Sequence, residues 1–177
     1  MKIFVIEDFL SEDECSKLLF KFNSEYSLKQ AETIGNKDGG RNSSVAFIDC
    51  IDEIDDKLKS ILKEKIHLKG YDVTGLNKYQ FTEYKQGDYY HWHVDSSNTI
   101  YPNRHYSVVI QLNDDYEGGQ LEIKNYEMNN KPQKTGTLFM FPSTTLHRVT
   151  PVTYGSRYSL VNWVSLNENS TYKKTLI

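Results

Sequence analysis

From Leu76 onward the chain is punctuated at short, regular intervals. The runs KYQFTEY, YYHWHVD, HYSVVIQLN, GQLEIKN, GTLFMF and RYSLVNWVS are rich in β-branched and aromatic residues. Turn chemistry separates them at Lys85-Gln86-Gly87-Asp88, at Asp114 to Gly119 and at Asn129 to Pro132. Short strands spaced this way bury their apolar sides by folding sheet onto sheet, as a sandwich or a barrel. A jelly roll suits the order. The chain has 177 residues, which fits one domain and buries roughly 70% of its unfolded surface without staples. The expectation is therefore a single domain over 1–177, with a helical N-terminal part over about 1–75 and a jelly-roll core over about 76–167.

The N-terminal part carries two helical patterns. FLSEDECSKLLFKFN opens with a capping box, Ser11 and Glu14, and Leu10 can staple against Cys15. Cys15, Leu18, Leu19 and Phe22 then recur at helical spacing on one face, so Cys15 reads as a core residue rather than a reactive thiol. A second helix is expected from about Asp52 to Ile66, with Ile54, Leu58, Ile61 and Leu62 as its buried stripe. His67, just beyond, reads as a surface residue complementing the helix dipole. Between the helices, IGNKDGGRNSS is a turn-rich loop and SSVAFID a strand. The fold class expected is mainly β with flanking helices: a double-stranded β-helix with the N-terminal helices packed on one sheet.

Several function classes are disfavoured at this point. The net charge is −3, and the only basic cluster, Lys173-Lys174, reads as a solvated tail, so no nucleic-acid partner is expected. No stretch is long enough to span a membrane. Glu7 and Asp8 interrupt the opening MKIFVIEDFL where a signal peptide needs an apolar run. Nothing pairs Cys15 with Cys50. The chain reads as a reduced, cytoplasmic protein.

The chemistry concentrates in YYHWHVDSS. Side chains at i and i+2 of a strand share a face, so His93 and Asp95 can reach one metal ion while Val94 points away. These are two members of a two-histidine, one-carboxylate facial triad, which leaves positions open for a cosubstrate and O₂. The third member must be another histidine. His147, between two strands, is the candidate and His105 the competitor, while His67 lies in the wrong region. His91 is expected on the face of His93, at the edge of the site, and Trp92 on the other face. At most one of Tyr89 and Tyr90 can line a cleft. Ten residues after His147 stands Arg157, sharing a strand face with Ser159, Val161 and Trp163. An arginine facing a barrel interior needs an anion, either a buried acid of the protein or a small dicarboxylate.

These segments resemble a known family. YKQGDYYHWHVD, VVIQLNDDYEGGQLEI and GTLFMFPSTTLHRVTPVTYGSRYSLVNWV are similar to the Fe(II)/2-oxoglutarate-dependent dioxygenases, in particular the prolyl 4-hydroxylase-like and PKHD-type hydroxylases. The likeness covers roughly Asn77 to Ser165, about half of the chain. It implies His93, Asp95 and His147 as iron ligands and Arg157 as the partner of the distal carboxylate of 2-oxoglutarate. It also implies cosubstrate contacts from Tyr84, with Ser159 assisting Arg157. Gln111 stands where certain relatives have a tyrosine that contacts the cosubstrate, and its amide is expected to take that role by donating a hydrogen bond. The cofactors implied are Fe(II), 2-oxoglutarate and O₂, with ascorbate as a supporting reductant. The activity implied is hydroxylation of a C–H bond with release of succinate and CO₂, on a peptide or protein with proline favoured. Alternatives are a free amino acid or small metabolite as substrate, or a catalytically silent jelly-roll binding module. The polar loop Ser96 to Arg104 is expected to be mobile and to close over substrate, with Asn98, Tyr101, Pro102, Asn103 and Arg104 against the chain.

Overall fold

The computed structural model describes residues 2–32, 40–49, 51–66, 71–74, 78–127 and 133–168. Cys50, His67, the Asn129 to Pro132 turn signal and the Lys173-Lys174 pair lie outside them. Among the described residues fourteen strands are formed: β1 (Phe4–Ile6), β2 (Lys29–Gln30), β3 (Arg41–Asn42), β4 (Ser44–Asp49), β5 (Tyr71–Thr74), β6 (Lys78–Tyr84), β7 (Tyr89–His93), β8 (Tyr106–Gln111), β9 (Glu117–Gly118), β10 (Leu121–Ile123), β11 (Leu138–Pro142), β12 (His147–Val149), β13 (Val152–Tyr154) and β14 (Arg157–Glu168). The helices are α1 (Glu12–Glu25) and α2 (Asp52–Ile66).

The strands assemble into a major sheet in the order β1-β11-β8-β14-β6-β4-β2, with β5 on the far end of β14. A minor sheet runs β10-β12-β7-β3, and β13 pairs with β9 in a ribbon. This is the expected mainly β, jelly-roll architecture. Residues 1–75 are less purely helical than their sequence suggests, because β1 to β5 join the sheets of the core. Two-residue strands such as β2 and β3 carry no periodicity of their own and exist through their partners.

Helix α1 begins where the sequence directs it. Ser11 Oγ accepts from the Glu14 N–H at 3.2 Å, and the Glu14 carboxylate accepts from the Ser11 N–H at 2.8 Å. Both helices lie on one face of the major sheet. Cys15 and Phe22 of α1 and Ile54, Leu58 and Leu62 of α2 meet Phe81, Val108, Ile110, Met140 and Leu160 of the strands. Full burial of Leu58 and Leu62 contributes roughly 1.5–3 kcal/mol each. Cys15 is fully buried, which pushes its thiol pKa up to about 11, so it is core as expected.

The other face of the major sheet meets the minor sheet. Val109, Phe139 and Phe141 pack there against Leu121 and Ile123. Strands β8, β11 and β14 are thus covered on both sides, which is why SVVIQ and LFMF read as nearly unbroken apolar runs. Alternation sends Leu160, Asn162 and Val164 of β14 toward the helices. It sends Arg157, Ser159, Val161 and Trp163 into the cleft between the sheets.

Candidate metal centre

Strands β7 and β12 pair antiparallel, with His93 opposite His147. The same pairing sets Tyr90 opposite Val149, so β7 uses three steps where β12 uses two. The extra residue is a β-bulge, and it reverses the alternation. Tyr90 and His93 therefore both face the cleft, and Tyr90 stacks on the His93 ring at 3.5 Å between centroids. His91, expected beside His93, is turned out to solvent for the same reason. Trp92 is also exposed, beneath the Arg148 guanidinium at 4.8 Å. Strand β7 ends at His93, and Asp95 follows in a bend rather than on the strand.

His93, Asp95 and His147 converge, with one donor atom from each lying within 4.8 Å of the others. Asp95 Oδ1 is 3.6 Å from His93 Nε2, and Oδ2 is 3.5 Å from His147 Nε2. Each imidazole is oriented from behind. His93 Nδ1 lies 2.8 Å from the His91 carbonyl, and His147 Nδ1 lies 2.8 Å from the Thr145 carbonyl. A carbonyl only accepts, so each Nδ1 carries the hydrogen and each Nε2 of a neutral ring presents its lone pair to the centre. Burial, helped by the neighbouring His147, lowers the His93 pKa to about 4, so that ring is neutral at pH 7. Burial would raise the Asp95 pKa, but His147, His93 and a hydrogen bond from Ser107 outweigh it, and the net shift is downward. The result is a carboxylate and two oriented imidazoles, the donor set suited to a divalent transition metal with open positions.

His105, the other histidine weighed as third ligand, is elsewhere. Its Nδ1 accepts from the Leu166 N–H at 3.1 Å, and it does not border the cleft. The cleft, about 250 Å³, runs from the histidines to Arg157. Arg157 is 1% exposed, and Nη1 donates to Ser159 Oγ at 3.2 Å. Nε and Nη2, which form one edge of the guanidinium, have no hydrogen-bond partner. No described carboxylate lies within ion-pair distance of Arg157. Tyr84 lines the cleft with the Arg157 guanidinium 5.5 Å from its ring centroid. Gly119 makes room here: a Cβ on it would meet Arg157 Cδ at 3.2 Å, and its φ is +57°.

Gln111 departs from its expected role. Its Nε2 donates to the Asn113 carbonyl at 2.7 Å and to the Tyr116 hydroxyl at 2.8 Å. Both N–H groups are spent, its Oε1 cannot donate, and the residue does not border the cleft. Tyr116 stands beside Arg157 instead. Burial raises its pKa, and the charge and facing N–H groups of Arg157 partly offset that, although the two side chains close no well-formed hydrogen bond. No periodic signal marks Tyr116, because it sits in the turn after β8.

The loop after Asp95 is tied by its own hydrogen bonds and ring contacts and forms one wall of the cleft. Ser97 N–H donates to the Ile100 carbonyl, Arg104 N–H to the Tyr101 carbonyl, and Ser96 Oγ to the Tyr101 carbonyl. Arg104 is clamped between the Tyr101 and Trp163 rings, 3.8 Å from each centroid. Burial lowers its pKa. Ile100, Tyr101 and Arg104 border the cleft, whereas Asn98, Pro102 and Asn103 do not. Sequence reasoning also missed Arg41, which lies over the Tyr90 ring at 4.8 Å and borders the cleft through the pairing of β3 with β7.

Comparison with known proteins agrees with this geometry. Residues 79–165 match the model of the 2OG-Fe(II) oxygenase superfamily. A PKHD-type hydroxylase of Idiomarina loihiensis is 36% identical over 97 residues, covering 52% of this chain and 44% of the relative. The chain thus spans less than half the length of that relative. Among solved structures, a Pseudomonas putida prolyl-4-hydroxylase superposes with a TM-score of 0.72 at 23% identity, covering 92% of this chain and 91% of the other. A Trichoplax adhaerens prolyl hydroxylase in complex with a hypoxia-inducible factor peptide gives 0.69 at 22% identity, over 99% of this chain and 87% of the other. At these identities the superpositions speak for the fold. No helix among the described residues is long and apolar enough to cross a membrane.

Proposed function

For a chain whose residues 79–165 carry a 2OG-Fe(II) oxygenase superfamily domain, we propose an oxygenase that hydroxylates a C–H bond using Fe(II), O₂ and 2-oxoglutarate. The observation that carries it is the pairing, in one cleft, of two inward Nε2 lone pairs beside Asp95 with a buried, unpartnered edge of Arg157. His93, Asp95 and His147 would hold the iron. When bound, iron and 2-oxoglutarate supply O₂ activation: one oxygen atom enters the substrate C–H bond, the other enters succinate, and CO₂ leaves.

The remaining work belongs to the chain. The carbonyls of His91 and Thr145 keep both imidazoles in the ligating tautomer. The free Nε–Nη2 edge of Arg157 matches a carboxylate in two parallel hydrogen bonds, while Ser159 fixes the guanidinium from the other side. Tyr84 and Tyr90 wall the cleft and exclude water.

The substrate reading is a prolyl residue in a peptide or protein. A cleft of about 250 Å³ is small: it suits a five-carbon diacid and one inserted side chain. Exposed apolar residues at its mouth, Phe47, Val94, Ile100 and Tyr101, suit the flanking chain. The likeness to a peptide-bound prolyl hydroxylase supports the same reading. Incubation with Fe(II), 2-oxoglutarate and ascorbate should yield succinate coupled to a one-oxygen mass gain in proline-containing peptides. Coupled hydroxylation of free proline with every peptide untouched would refute the peptidyl reading, and absence of any coupled succinate would refute the enzyme.

A further inference from the structure

Asp95 lies beyond the end of β7, so the sheet does not hold it. Its backbone is anchored by Ser143, whose carbonyl accepts from the N–H groups of Asp95 at 2.9 Å and Ser96 at 3.0 Å. Its side chain is anchored by Ser107 on β8, whose Oγ donates to Asp95 Oδ2 at 2.6 Å. Ser143 Oγ lies 3.0 Å from Ser107 Oγ, and both serines are fully buried. A hydroxyl has one hydrogen and a carboxylate only accepts. The Ser107 hydrogen is therefore committed to Asp95, and Ser143 donates in turn to Ser107. The outcome is a two-hydroxyl relay aimed at one oxygen of the carboxylate, with a short, charge-assisted final bond.

We propose that Ser107 is a positioning residue that keeps Asp95 a one-oxygen metal ligand, with Ser143 as its support. The inference rests on the metal reading above. A carboxylate with two equivalent oxygens can grip a metal with both, and the second would occupy a position the facial donor set must leave open. A hydrogen bond on Oδ2 alone makes the oxygens inequivalent and fixes the plane of the carboxylate. Ser107 is well placed for this. It lies on an inner strand of the major sheet, paired with Phe141 on one side and Trp163 on the other, so it cannot drift. The Trp163 indole N–H faces the same carboxylate and favours its charged form, but closes no well-formed hydrogen bond of its own.

The test is anaerobic titration of the full chain with Co(II), followed by calorimetry and by visible absorption, which reports coordination number. Ser107→Ala should weaken Co(II) binding by about ten- to hundredfold, the range for a lost outer partner of a metal ligand, and change the spectrum. Ser107→Thr should restore both. Ser143→Ala, which leaves the Ser107 hydrogen on Asp95, should lose less than Ser107→Ala, and far-UV circular dichroism checks that each variant is folded. A folded Ser107→Ala protein with wild-type affinity and spectrum overturns the proposal, as does a larger loss in Ser143→Ala. Wild-type protein that takes up no Co(II) overturns the metal reading itself, and the proposal with it.

Discussion

Replacing Arg157 by lysine isolates the anion-binding half of the cleft. The substitution keeps one positive charge and removes the fork. In the structure the guanidinium has three donor nitrogens to account for. Nη1 is held by Ser159, and Nε and Nη2 are unpartnered although the residue is 1% exposed. A dicarboxylate filling that edge gains two charge-assisted bonds, and an ammonium keeps one. A hydrogen bond to a charged group contributes roughly 1.5–3 kcal/mol, and each 1.4 kcal/mol is about tenfold in affinity. Arg157→Lys should then weaken 2-oxoglutarate binding by about ten- to hundredfold, with metal affinity unchanged because Arg157 touches no ligand atom. Calorimetry on the anaerobic Fe(II)-loaded protein measures this. 2-Oxobutyrate, which lacks the distal carboxylate, supplies the second arm: wild type should prefer 2-oxoglutarate over it strongly, and the variant should lose most of that preference. Equal 2-oxoglutarate affinity in the two proteins would refute the assignment of Arg157, and would mean that its unpartnered edge serves the fold alone.

Two further outcomes follow from the site. His93→Ala, Asp95→Ala and His147→Ala should each abolish turnover and lower Fe(II) affinity, whereas His91→Ala and His105→Ala should leave it largely intact. Anaerobic Fe(II) titration decides, and loss of metal in His105→Ala with retention in His147→Ala would reverse the ligand set. Acid should destabilise the metal-free protein before it touches most carboxylates. The His93 pKa is about 4 when folded and about 6.5 when unfolded, so the unfolded chain binds more protons in between. This stabilisation is complete above about pH 6.5 and is lost as pH falls toward 4, at most about 3 kcal/mol. The lowered Asp95 pKa acts in the same sense at lower pH. Urea unfolding in chelator should show the slope between pH 6.5 and 5 in wild type and not in His93→Gln, and a flat wild-type profile would contradict it.

What the sequence disclosed was whatever is encoded locally. The Ser11–Glu14 box starts α1, turn residues bound β6 and β14, and two-residue alternation aims Arg157 and Ser159 into the cleft. What it hid depends on partners distant in the chain. The bulge in β7 arises from its register against β12, and it moves Tyr90 onto the cleft face and His91 off it. The loss of Gln111 to Asn113 and Tyr116 depends on how the turn after β8 closes. Arg104 reads as a loop residue that bonds the substrate backbone until Trp163, 59 positions later, is folded over it.

The donor set and Arg157 stand on different sheets. His93 and His147 belong to β7 and β12 of the minor sheet, Asp95 follows β7, and Arg157 opens β14 of the major one. Facing sheets pack about 10 Å apart. A molecule that ligates the metal at one end and meets Arg157 at the other must therefore bridge the sandwich, so the thickness of the hydrophobic core acts as a caliper. Under the proposed chemistry, the span left for the diacid is set by the packing of Phe139, Phe141, Leu121 and Ile123 between the sheets. Leu121 borders the cleft itself, whereas Phe139, Phe141 and Ile123 do not and hold the jaws at their gauge from behind.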